Sequence, residues 1–577
     1  MKMKEIPQTE NFILERPHLR YIKKTLSLLE SDIGPDGEKI NWKNLYEKVG
    51  SWDSALELSD QIREAVREYL LSKFPKIKDK IPSIADLPDP QMLNALSNGW
   101  FEELGEEVGG TRREVLLAVL AHITKRIETR IYKKILEESR EDDLKKLGLS
   151  LNTRQLAIDC LDASVKSNPL FIRFLAYSQL SPKPFHGAPP AAPMGQDGMP
   201  HRFAELFPHE TKFIAKKFGE IIKSDEQWKG EHGAEEFKEY VTILEKYFSG
   251  TDIGEALEVD GEISEVEKKI KNAYSKVISS DFPIIIPPPL GGYYKPPYFD
   301  PELRVSIRTP ESIAEEKRFL PLQKSLADKL GLLGVGQFAN DMRAKPIRSV
   351  ISIGEYGANL TFTAAAEADK EIVLFLNDQI RHFDRNLKKF FPLLEISEQA
   401  FGNISDQRIQ EMSREDTMLH EFSHSVYHGD TEEAKKLGPE AESFIAEISA
   451  ESIHRGLAKE LIDSGEIEYT PEQYTVVTIC MPLQVLERAD PEDEYYKAAV
   501  FVLNGLFENG IAEFDGSHVA VKDHAAFFEY LKSNAKEIIS LYKDPEMTQQ
   551  KAKNWLSKKC KAGSRLQELI GYIKSKK

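Results

Sequence analysis

Cysteine is scarce in this sequence of 577 residues, which contains only Cys160, Cys480 and Cys560. The three are far apart and match none of the short spacings that hold a metal ion. Such a sparse, odd number argues against a disulfide framework and favours a reducing compartment. No stretch of 18 consecutive apolar residues occurs, and the first dozen residues lack the apolar run of a secretory signal. We therefore expect a cytoplasmic protein without a membrane partner.

An excess of basic charge is also missing. The sequence has 77 Lys and Arg residues against 94 Asp and Glu residues, which gives a net charge of −17. Such a charge repels phosphate backbones and anionic lipid, so nucleic acid is not an expected partner. Apolar residues make up 41% of the sequence and charged residues 30%, which is typical of a globular protein. At this length the chain should form two or more domains.

Helical patterning dominates what is present. Apolar residues recur at helical spacing through about the first 170 residues and again from about residue 382 onward. Short runs of β-branched and aromatic residues between 346 and 376 predict a small β element. Asp515-Gly516, between two apolar runs, predicts a β-hairpin. Two proline-rich segments, 181–200 and 282–301, are predicted loops whose role the sequence leaves open. The sequence thus predicts a mainly helical fold of the α+β class.

One short segment, HEFSH, carries a pattern with a chemical meaning. His420 and His424 are four residues apart, so on a helix their rings project from one face and can bind one metal ion. Glu421 lies about 100° further round the helix, beside the metal rather than facing it. This is the arrangement of the HExxH motif of zinc metallopeptidases, in which the glutamate is the catalytic base. Ser413 and Asp416 form a predicted N-cap pair, so we expect the helix to begin near them.

A third ligand is expected on a second helix, predicted over residues 439–462. Glu447 and Glu451 are four apart on one of its faces, and a site with two histidines needs only one of them. The other could hydrogen-bond the far nitrogen of a ligating histidine. Helical periodicity does not decide between the two, although Arg455 is a candidate ion-pair partner for Glu451. His428 is not a candidate, because it lies about 12 Å further along the first helix than His420.

These motifs resemble those of the dipeptidyl-peptidase III family of zinc exopeptidases, metallopeptidase family M49. That family pairs a helical His-Glu motif with a downstream glutamate motif, to which AEISAES is similar, and the resemblance covers roughly residues 350–545. It implies that Glu447 is the zinc ligand and that Glu451 supports the ligands without binding the metal itself. It also implies two lobes separated by a wide substrate cleft, with the zinc site on two helices. We expect residues 1–310 to contribute the substrate-binding lobe and residues 311–577 the catalytic lobe.

The sequence departs from the family at several positions. Its histidine motif has five residues, whereas most of the family has six. Tyr496 stands where the family has a histidine thought to stabilise the transition state, and Val500 stands where it has an arginine. A tyrosine hydroxyl can also donate to a developing oxyanion, so Tyr496 is the candidate second catalytic residue, with His518 or His524 as alternatives. Asn359 matches an asparagine that holds the substrate backbone in the family.

The resulting hypothesis is a zinc-dependent exopeptidase that releases dipeptides from the N-terminus of short peptides. One Zn²⁺ per chain would be held by His420, His424 and Glu447, with Glu421 as the base that takes a proton from water. A gluzincin-type aminopeptidase or oligopeptidase is the alternative within enzymes. A peptide-binding protein that keeps zinc without activity is the alternative outside them, motivated by the departure at Tyr496. The oligomeric state is left open.

Overall fold

The structure is a computed structural model of the chain. It describes residues 42–73, 127–178, 203–250, 265–288, 303–338, 342, 347–353, 364–367, 371–377, 379, 388–427, 431–488, 491 and 493–575. The predicted loop at 181–200 and most of that at 282–301 lie outside these residues. What is described is mainly helical with a small amount of sheet, which confirms the predicted fold class.

Two compact units make up the chain. The first comprises Met1–Ile313 and Val350–Thr361, and the second comprises Ala314–Ser349 and Phe362–Lys577. The sequence predicted one division between residues 310 and 311, with a substrate-binding lobe before it and a catalytic lobe after it. That division and the predicted substrate cleft both stay predictions.

Helices build most of the first unit. They are α1 (Trp42–Lys48), α2 (Ala55–Lys73), α3 (Glu141–Lys146), α4 (Leu151–Ser178), α5 (Phe203–Leu206), α6 (Pro208–Lys223), α7 (Ala234–Ser249) and α8 (Glu265–Ser279). Residues 127–138 are helical as well. Helix α6 packs against α4 and α7, and α7 packs against α8. Aromatic rings fill these contacts, as where Phe218 stacks on Phe248 with ring centroids 6.1 Å apart.

Three antiparallel strands accompany these helices. They are β1 (Ile284–Ile285), β2 (Val305–Ile307) and β3 (Ile347–Ile353, whose first three residues belong to the second unit). In the register of β2 and β3, Ile307 is opposite Ile351 and Ser306 is opposite Ser352. The run of β-branched residues in β3 agrees with the β element predicted there. Its residues are buried with one exception, as expected of a strand covered on both faces.

The second unit contains the remaining elements. Its helices are α9 (Pro310–Lys329, whose first turn belongs to the first unit), α10 (Ser397–Phe401), α11 (Asp406–Ser423), α12 (Glu432–Lys435), α13 (Pro439–Gly456), α14 (Ala458–Asp463), α15 (Pro471–Arg488), α16 (Glu494–Glu508), α17 (His524–Lys543), α18 (Gln549–Lys559) and α19 (Ser564–Ser575). Its strands form two antiparallel pairs, β4 (Ala364–Glu367) with β5 (Glu371–Phe375), and β6 (Ala512–Phe514) with β7 (Val519–Val521). None of the described helices combines the length and apolar character that crossing a bilayer requires.

Helix α13 lies in the middle of the second unit, where it packs against α11, α16 and α17. Its isoleucines Ile445, Ile448 and Ile453 are completely buried. Burying each such side chain stabilises the fold by about 1.5–3 kcal/mol. At Gly456 the helix approaches α17 so closely that an added Cβ would lie 2.5 Å from Cβ of Ala535. Packing on three sides therefore fixes the position of α13 relative to α11.

The bounds of α11 and α13 differ from the predicted ones. Helix α11 begins at Asp406, and the hydroxyl of Ser405 caps it by accepting a hydrogen bond from the backbone N–H of Arg408 at 3.2 Å. The predicted cap at Ser413 and Asp416 is therefore wrong. Both residues are in the middle of the helix and are at most 2% exposed. Helix α13 begins at Pro439 as predicted but ends at Gly456, so the prediction of one helix to residue 462 is wrong too.

The predicted β-hairpin is confirmed by β6 and β7. Gly516 in its turn has a φ of 96°, a conformation that favours glycine. The Oδ1 atom of Asp515 accepts hydrogen bonds from the backbone N–H groups of Ser517 and His518, each at 2.7 Å. These two donors hold the pKa of the Asp515 carboxyl at about 2. The Asp-Gly pair thus supplies both the cap and the backbone freedom of the turn.

Candidate metal centre

Two histidine rings lie side by side at the C-terminal end of α11. His420 belongs to the last turn, and His424 ends the helix while keeping right-handed helical backbone angles. Their Nε2 atoms are 3.1 Å apart, and their ring planes meet at 85°. A single helical turn therefore brings two imidazole nitrogens to one point, as the spacing of four residues predicts.

Glu447 of α13 completes the group from the neighbouring helix. Its Oε2 lies 3.4 Å from Nε2 of His420, and its Oε1 lies 3.6 Å from Nε2 of His424. Nitrogen and oxygen donors of one tetrahedral zinc ion stand about 3.3–3.5 Å from one another. The three separations between donor atoms in the structure, 3.1, 3.4 and 3.6 Å, bracket this range. Among the residues that the structure describes, these three side chains are the ones whose donor atoms converge closely enough to hold a metal ion.

The burial of the three side chains also fits a cation. Their exposed fractions are 12% for His420, 14% for Glu447 and 19% for His424, so they are mostly buried but still accessible to solvent. Within the described residues, Oε2 of Glu447 is buried and accepts no hydrogen bond. A buried carboxylate oxygen that accepts no hydrogen bond is costly, even with Nε2 of His420 at 3.4 Å, and a bound cation removes that cost. Two imidazoles and one carboxylate are a donor set that suits zinc with an open fourth position.

A chain of charged groups extends behind His420. The Oε1 atom of Glu451 lies 3.2 Å from Nδ1 of His420. Its Oε2 accepts hydrogen bonds from Nε and Nη2 of Arg455, at 2.8 and 2.5 Å. Nη2 of Arg455 also donates to Oδ2 of Asp416 at 3.4 Å, and Oδ1 of Asp416 faces Nε2 of His454 at 3.3 Å. Glu451 thus faces the ring nitrogen of His420 that points away from the converging donors.

Opposite charges shift the pKa values of the two glutamates and of His420. Burial raises the pKa of Glu447, but the imidazoles of His424 and His420 outweigh burial and lower it. Burial likewise opposes ionisation of Glu451, yet the Arg455 guanidinium holds its pKa well below the usual range. For His420, burial lowers the pKa, whereas Glu447 and Glu451 together raise it well above its usual value. The pocket therefore favours positive charge at the point where the donors meet, which a metal cation or a proton can supply.

Glu421 follows His420 on α11. The helical period turns its side chain about 100° from that of His420. It is partly exposed, whereas Leu419 and Phe422 on the same turn are buried in the core. The sequence of the turn thus places a carboxylate next to the histidine pair and in reach of solvent.

The structure brings together His420, His424, Glu447 and Glu451, as the sequence suggested. Helical periodicity left the two glutamates equivalent, but their surroundings differ. Glu447 faces the Nε2 atoms of both histidines, and Glu451 faces Nδ1 of one of them. Their roles as ligand and supporting acid stay predictions, and the geometry accommodates both.

Tyr496 lies near the beginning of α16, in the core of the second unit. It is 9% exposed, and Nζ of Lys574 lies 5.9 Å from the centre of its ring. Burial raises the pKa of its hydroxyl. Val500, one turn further along α16, is completely buried. The proposed role of Tyr496 as an oxyanion donor therefore stays a prediction.

The two alternative donors lie at other places in the second unit. His518 is in the turn between β6 and β7, and its Nδ1 is 2.9 Å from Oγ of Ser517. His524 begins α17, with its Nδ1 3.1 Å from Oγ1 of Thr475. Neither belongs to the group of side chains that converges at Glu447. Asn359, the predicted substrate-binding residue, lies outside the described residues.

Asp416 is the residue whose surroundings the sequence analysis misjudged. It is four residues before His420 and eight before His424, so all three lie on one face of α11. That stripe was a usable signal, because an acid one turn before the histidine pair faces the same neighbouring helix. His454 and Arg455, which meet Asp416 there, lie one turn beyond Ala450 and Glu451 on α13.

Comparison with known proteins gives matches among solved structures alone. No family model and no curated protein matches the sequence. The chain is similar to a structure of dipeptidyl-peptidase III from Caldithrix abyssi, with 16% identity and a TM-score of 0.48, over 81% of this chain and 93% of that one. It is also similar to a structure of dipeptidyl-peptidase III from Corallococcus sp. strain EGB, with 14% identity and a TM-score of 0.49, over 92% of this chain and 95% of that one. Both proteins bear the name of the family that the sequence motifs resemble.

Proposed function

We propose that this chain is a zinc-dependent peptidase that releases dipeptides from the N-terminus of short peptides. The observation that carries the proposal is the convergence of His420, His424 and Glu447, at separations that suit one tetrahedral ion, with Glu421 adjacent to them. The register of cleavage rests on the resemblance of the sequence motifs to the dipeptidyl-peptidase III family.

Each residue has a defined task in this proposal. When bound, zinc lowers the pKa of a water molecule and polarises the peptide carbonyl. His420 and His424 bind through Nε2, so each ring must be unprotonated at that nitrogen. Glu421 takes a proton from the attacking water and delivers it to the leaving amine. Glu451, whose Oε1 lies 3.2 Å from Nδ1 of His420, would accept a hydrogen bond from that nitrogen and so favour the tautomer that leaves Nε2 bare.

The first test compares wild type with Glu421→Gln. Zinc content is measured per chain, and hydrolysis is followed with a dipeptidyl-naphthylamide and with the corresponding single-residue naphthylamide. We expect one zinc per chain in both proteins. We expect turnover of the dipeptidyl substrate to fall by about 10²–10⁴-fold in the variant, because general base catalysis contributes that much.

The matched control is Glu411→Gln, since Glu411 is on the same helix and is also partly exposed. This variant should keep both its zinc and its activity. Preference for the single-residue substrate would indicate a gluzincin-type aminopeptidase instead. Equal hydrolysis by wild type and Glu421→Gln would refute the role of Glu421.

A peptide-binding protein without activity is the second candidate. It is favoured by one observation. Tyr496 and Val500 are buried in the core, at positions where the dipeptidyl-peptidase III family has a histidine and an arginine. In that case wild type would contain one zinc per chain, bind short peptides and cleave none of them. Retention of Glu421, which a purely structural zinc site does not need, favours the enzyme.

A further inference from the structure

The two oxygens of Glu451 face different partners. Oε1 faces Nδ1 of His420, and Oε2 accepts both hydrogen bonds from Arg455. Two hydrogen bonds from one rigid guanidinium to Oε2 restrict the rotamer and the plane of the Glu451 carboxylate. The orientation of Glu451 toward His420 is therefore set from its far side by the Arg455 guanidinium.

Arg455 connects the two helices that supply the converging donors. Its Nε and Nη2 contact Glu451 on its own helix, α13, and its Nη2 also contacts Asp416 on α11. The guanidinium is planar and rigid, so contacts to two carboxylates fix its orientation as well as its position. Arg455 is 1% exposed and Asp416 is 2% exposed, so water does not compete for the contact between them.

His454 lies on the other side of Asp416. Its Nδ1 donates to the carbonyl oxygen of Ala450 at 2.8 Å, because a carbonyl can only accept. This hydrogen bond orients the ring so that Nε2 faces Oδ1 of Asp416 at 3.3 Å. Asp416 thus has a separate neighbour at each oxygen, as Glu451 does.

We propose that Arg455 and Asp416 are positioning residues of the metal site, which act through Glu451 to hold His420 in the orientation that binds metal. The inference rests on the proposed zinc site. Neither residue touches the metal or the substrate in this proposal. Removing either should weaken metal binding by releasing Glu451 from its fixed orientation.

The charge of the group supports a role toward a cation. Glu447, Glu451 and Asp416 are three carboxylates, and Arg455 is one guanidinium, which leaves two negative charges apart from the imidazoles. The group stays anionic even if His454 carries a second proton. A buried excess of negative charge is unfavourable by itself, and a divalent cation or protons on the imidazoles cancel it. A purely structural ion-pair group would need no such excess.

The test measures the zinc dissociation constant by competition with a chromophoric chelator. The key variant is Asp416→Asn, which keeps the size of the side chain and removes its charge. Loss of outer partners of a metal site typically costs 10–100-fold in affinity, and we expect about that loss. Arg455→Lys keeps the charge but loses the planar fork, and should give a loss of similar size.

Glu415→Gln is the matched control, because Glu415 is the neighbouring residue on α11 and also belongs to a mostly buried ion pair. It contacts Arg318 at 2.6 Å on another face of the helix. This variant should lose stability without losing zinc affinity. A merely structural role of Asp416 would make Asp416→Asn behave in the same way, and that result would overturn the proposal.

A double-mutant cycle tests whether Asp416 acts through Glu451. In the Glu451→Gln background, adding Asp416→Asn should change the zinc affinity little, because the link to His420 is already broken. Two independent, additive losses would contradict the proposed route. If Asp416→Asn does not fold, the same cycle with Arg455→Lys decides the question.

The readout separates this inference from the proposed activity. Wild type that binds zinc but cleaves no peptide would refute the peptidase, while the affinities of the variants still decide the positioning role. Wild type that binds no zinc would overturn both.

Discussion

Two adjacent residues of α11, Glu415 and Asp416, belong to two charge clusters with different balances. The arginine cluster consists of Glu315, Glu411, Glu415, Arg318, Arg408 and Arg414. The metal-side cluster consists of Glu447, Glu451, Asp416 and Arg455, together with the imidazoles of His420, His424 and His454. Both clusters are largely removed from solvent and both connect α11 to a neighbouring helix.

The arginine cluster has three shielded carboxylates for its three guanidinium groups, and the exposed carboxylate of Glu468 also lies 3.9 Å from Arg408. Each of its charges can be neutralised by a neighbour, and Glu415 has two arginines within 3.4 Å. The metal-side cluster has three carboxylates against one guanidinium. Since burying an unpaired charge is costly, an imbalance of this kind requires further positive charge, from protonated imidazoles or from a bound metal cation. The comparison teaches that charge balance, more than burial, separates a structural ion-pair network from a candidate metal site.

The largest expected effect is the loss of metal on removing a donor. Glu447→Gln replaces the one anionic donor and should weaken zinc binding by more than about 100-fold, beyond the effect of outer partners. Glu415→Gln should leave zinc affinity unchanged, since the arginine cluster faces elsewhere. Equilibrium dialysis with quantification of zinc checks both. Comparable losses in the two variants would break the distinction between the clusters.

A second comparison removes one arginine from each cluster. Arg455→Leu leaves Glu451 and Asp416 without their shared partner, and should lower the unfolding free energy by about 3–5 kcal/mol. Arg318→Leu should cost less, about 1–3 kcal/mol, because Arg408 still contacts Glu415. Urea unfolding of the metal-free proteins measures both values.

The expected order of these two losses follows from redundancy. If Arg318→Leu lowered the unfolding free energy as much as Arg455→Leu, the second arginine beside Glu415 would not compensate for the loss of the first.

Zinc itself should stabilise the second unit. At free zinc 100 times the dissociation constant, linkage predicts a gain of about 2.7 kcal/mol in unfolding free energy. Glu415→Gln should show the full gain on top of its lower starting stability. If Asp416→Asn binds tenfold more weakly, its gain at the same free zinc should be about 1.4 kcal/mol smaller. Thermal or urea unfolding with and without zinc measures the increments, and equal increments in all three proteins would count against the proposal.

The smallest expected effect is in the pH dependence of the metal-free protein. Burial raises the pKa of Asp416, but Arg455 and His454 outweigh burial and lower it. A pKa lowered by folding means that the ionised carboxylate stabilises the folded state. This contribution is complete above the unfolded pKa of about 3.9 and is lost as the pH falls through the folded pKa.

The measurement compares the unfolding free energies of wild type and Asp416→Asn between about pH 3 and pH 7. Their difference should be constant above about pH 5 and should shrink below about pH 4. Glu451 and His454 also face this group and are coupled to Asp416, so the same comparison is made in the Glu451→Gln background. In the Arg455→Leu background the acid-dependent part should be smaller, because the main charge that lowers the Asp416 pKa is gone.

Local features of the fold were predictable from the sequence. The period of the apolar residues indicated helices over most of the chain, and Asp515-Gly516 indicated the hairpin. The HEFSH spacing placed two histidines on one helical face. These features depend on backbone geometry within a few residues, so a short sequence window contains the information.

Other features were beyond a reading of the local sequence. Ser413 and Asp416 have the chemistry of a helix cap, but neighbouring elements cover them and the real cap is Ser405. The end of α13 at Gly456 was also missed. Helix α17 comes so close at Ala535 that there is no room for a side chain at position 456. In both cases residues far away in the sequence decide the environment, as with Arg455, which is 39 positions beyond Asp416.

The sequence by itself determined that two histidines and a neighbouring glutamate share one turn of a helix, and that two further glutamates share a face of another. Only the tertiary structure decided that Glu447 meets both Nε2 atoms while Glu451 meets Nδ1 of His420 and Arg455. The reason is physical. Spacing within a helix is set by its backbone period, whereas the rotation and separation of two helices are set by the packing of residues such as Ile448 and Gly456 against other elements.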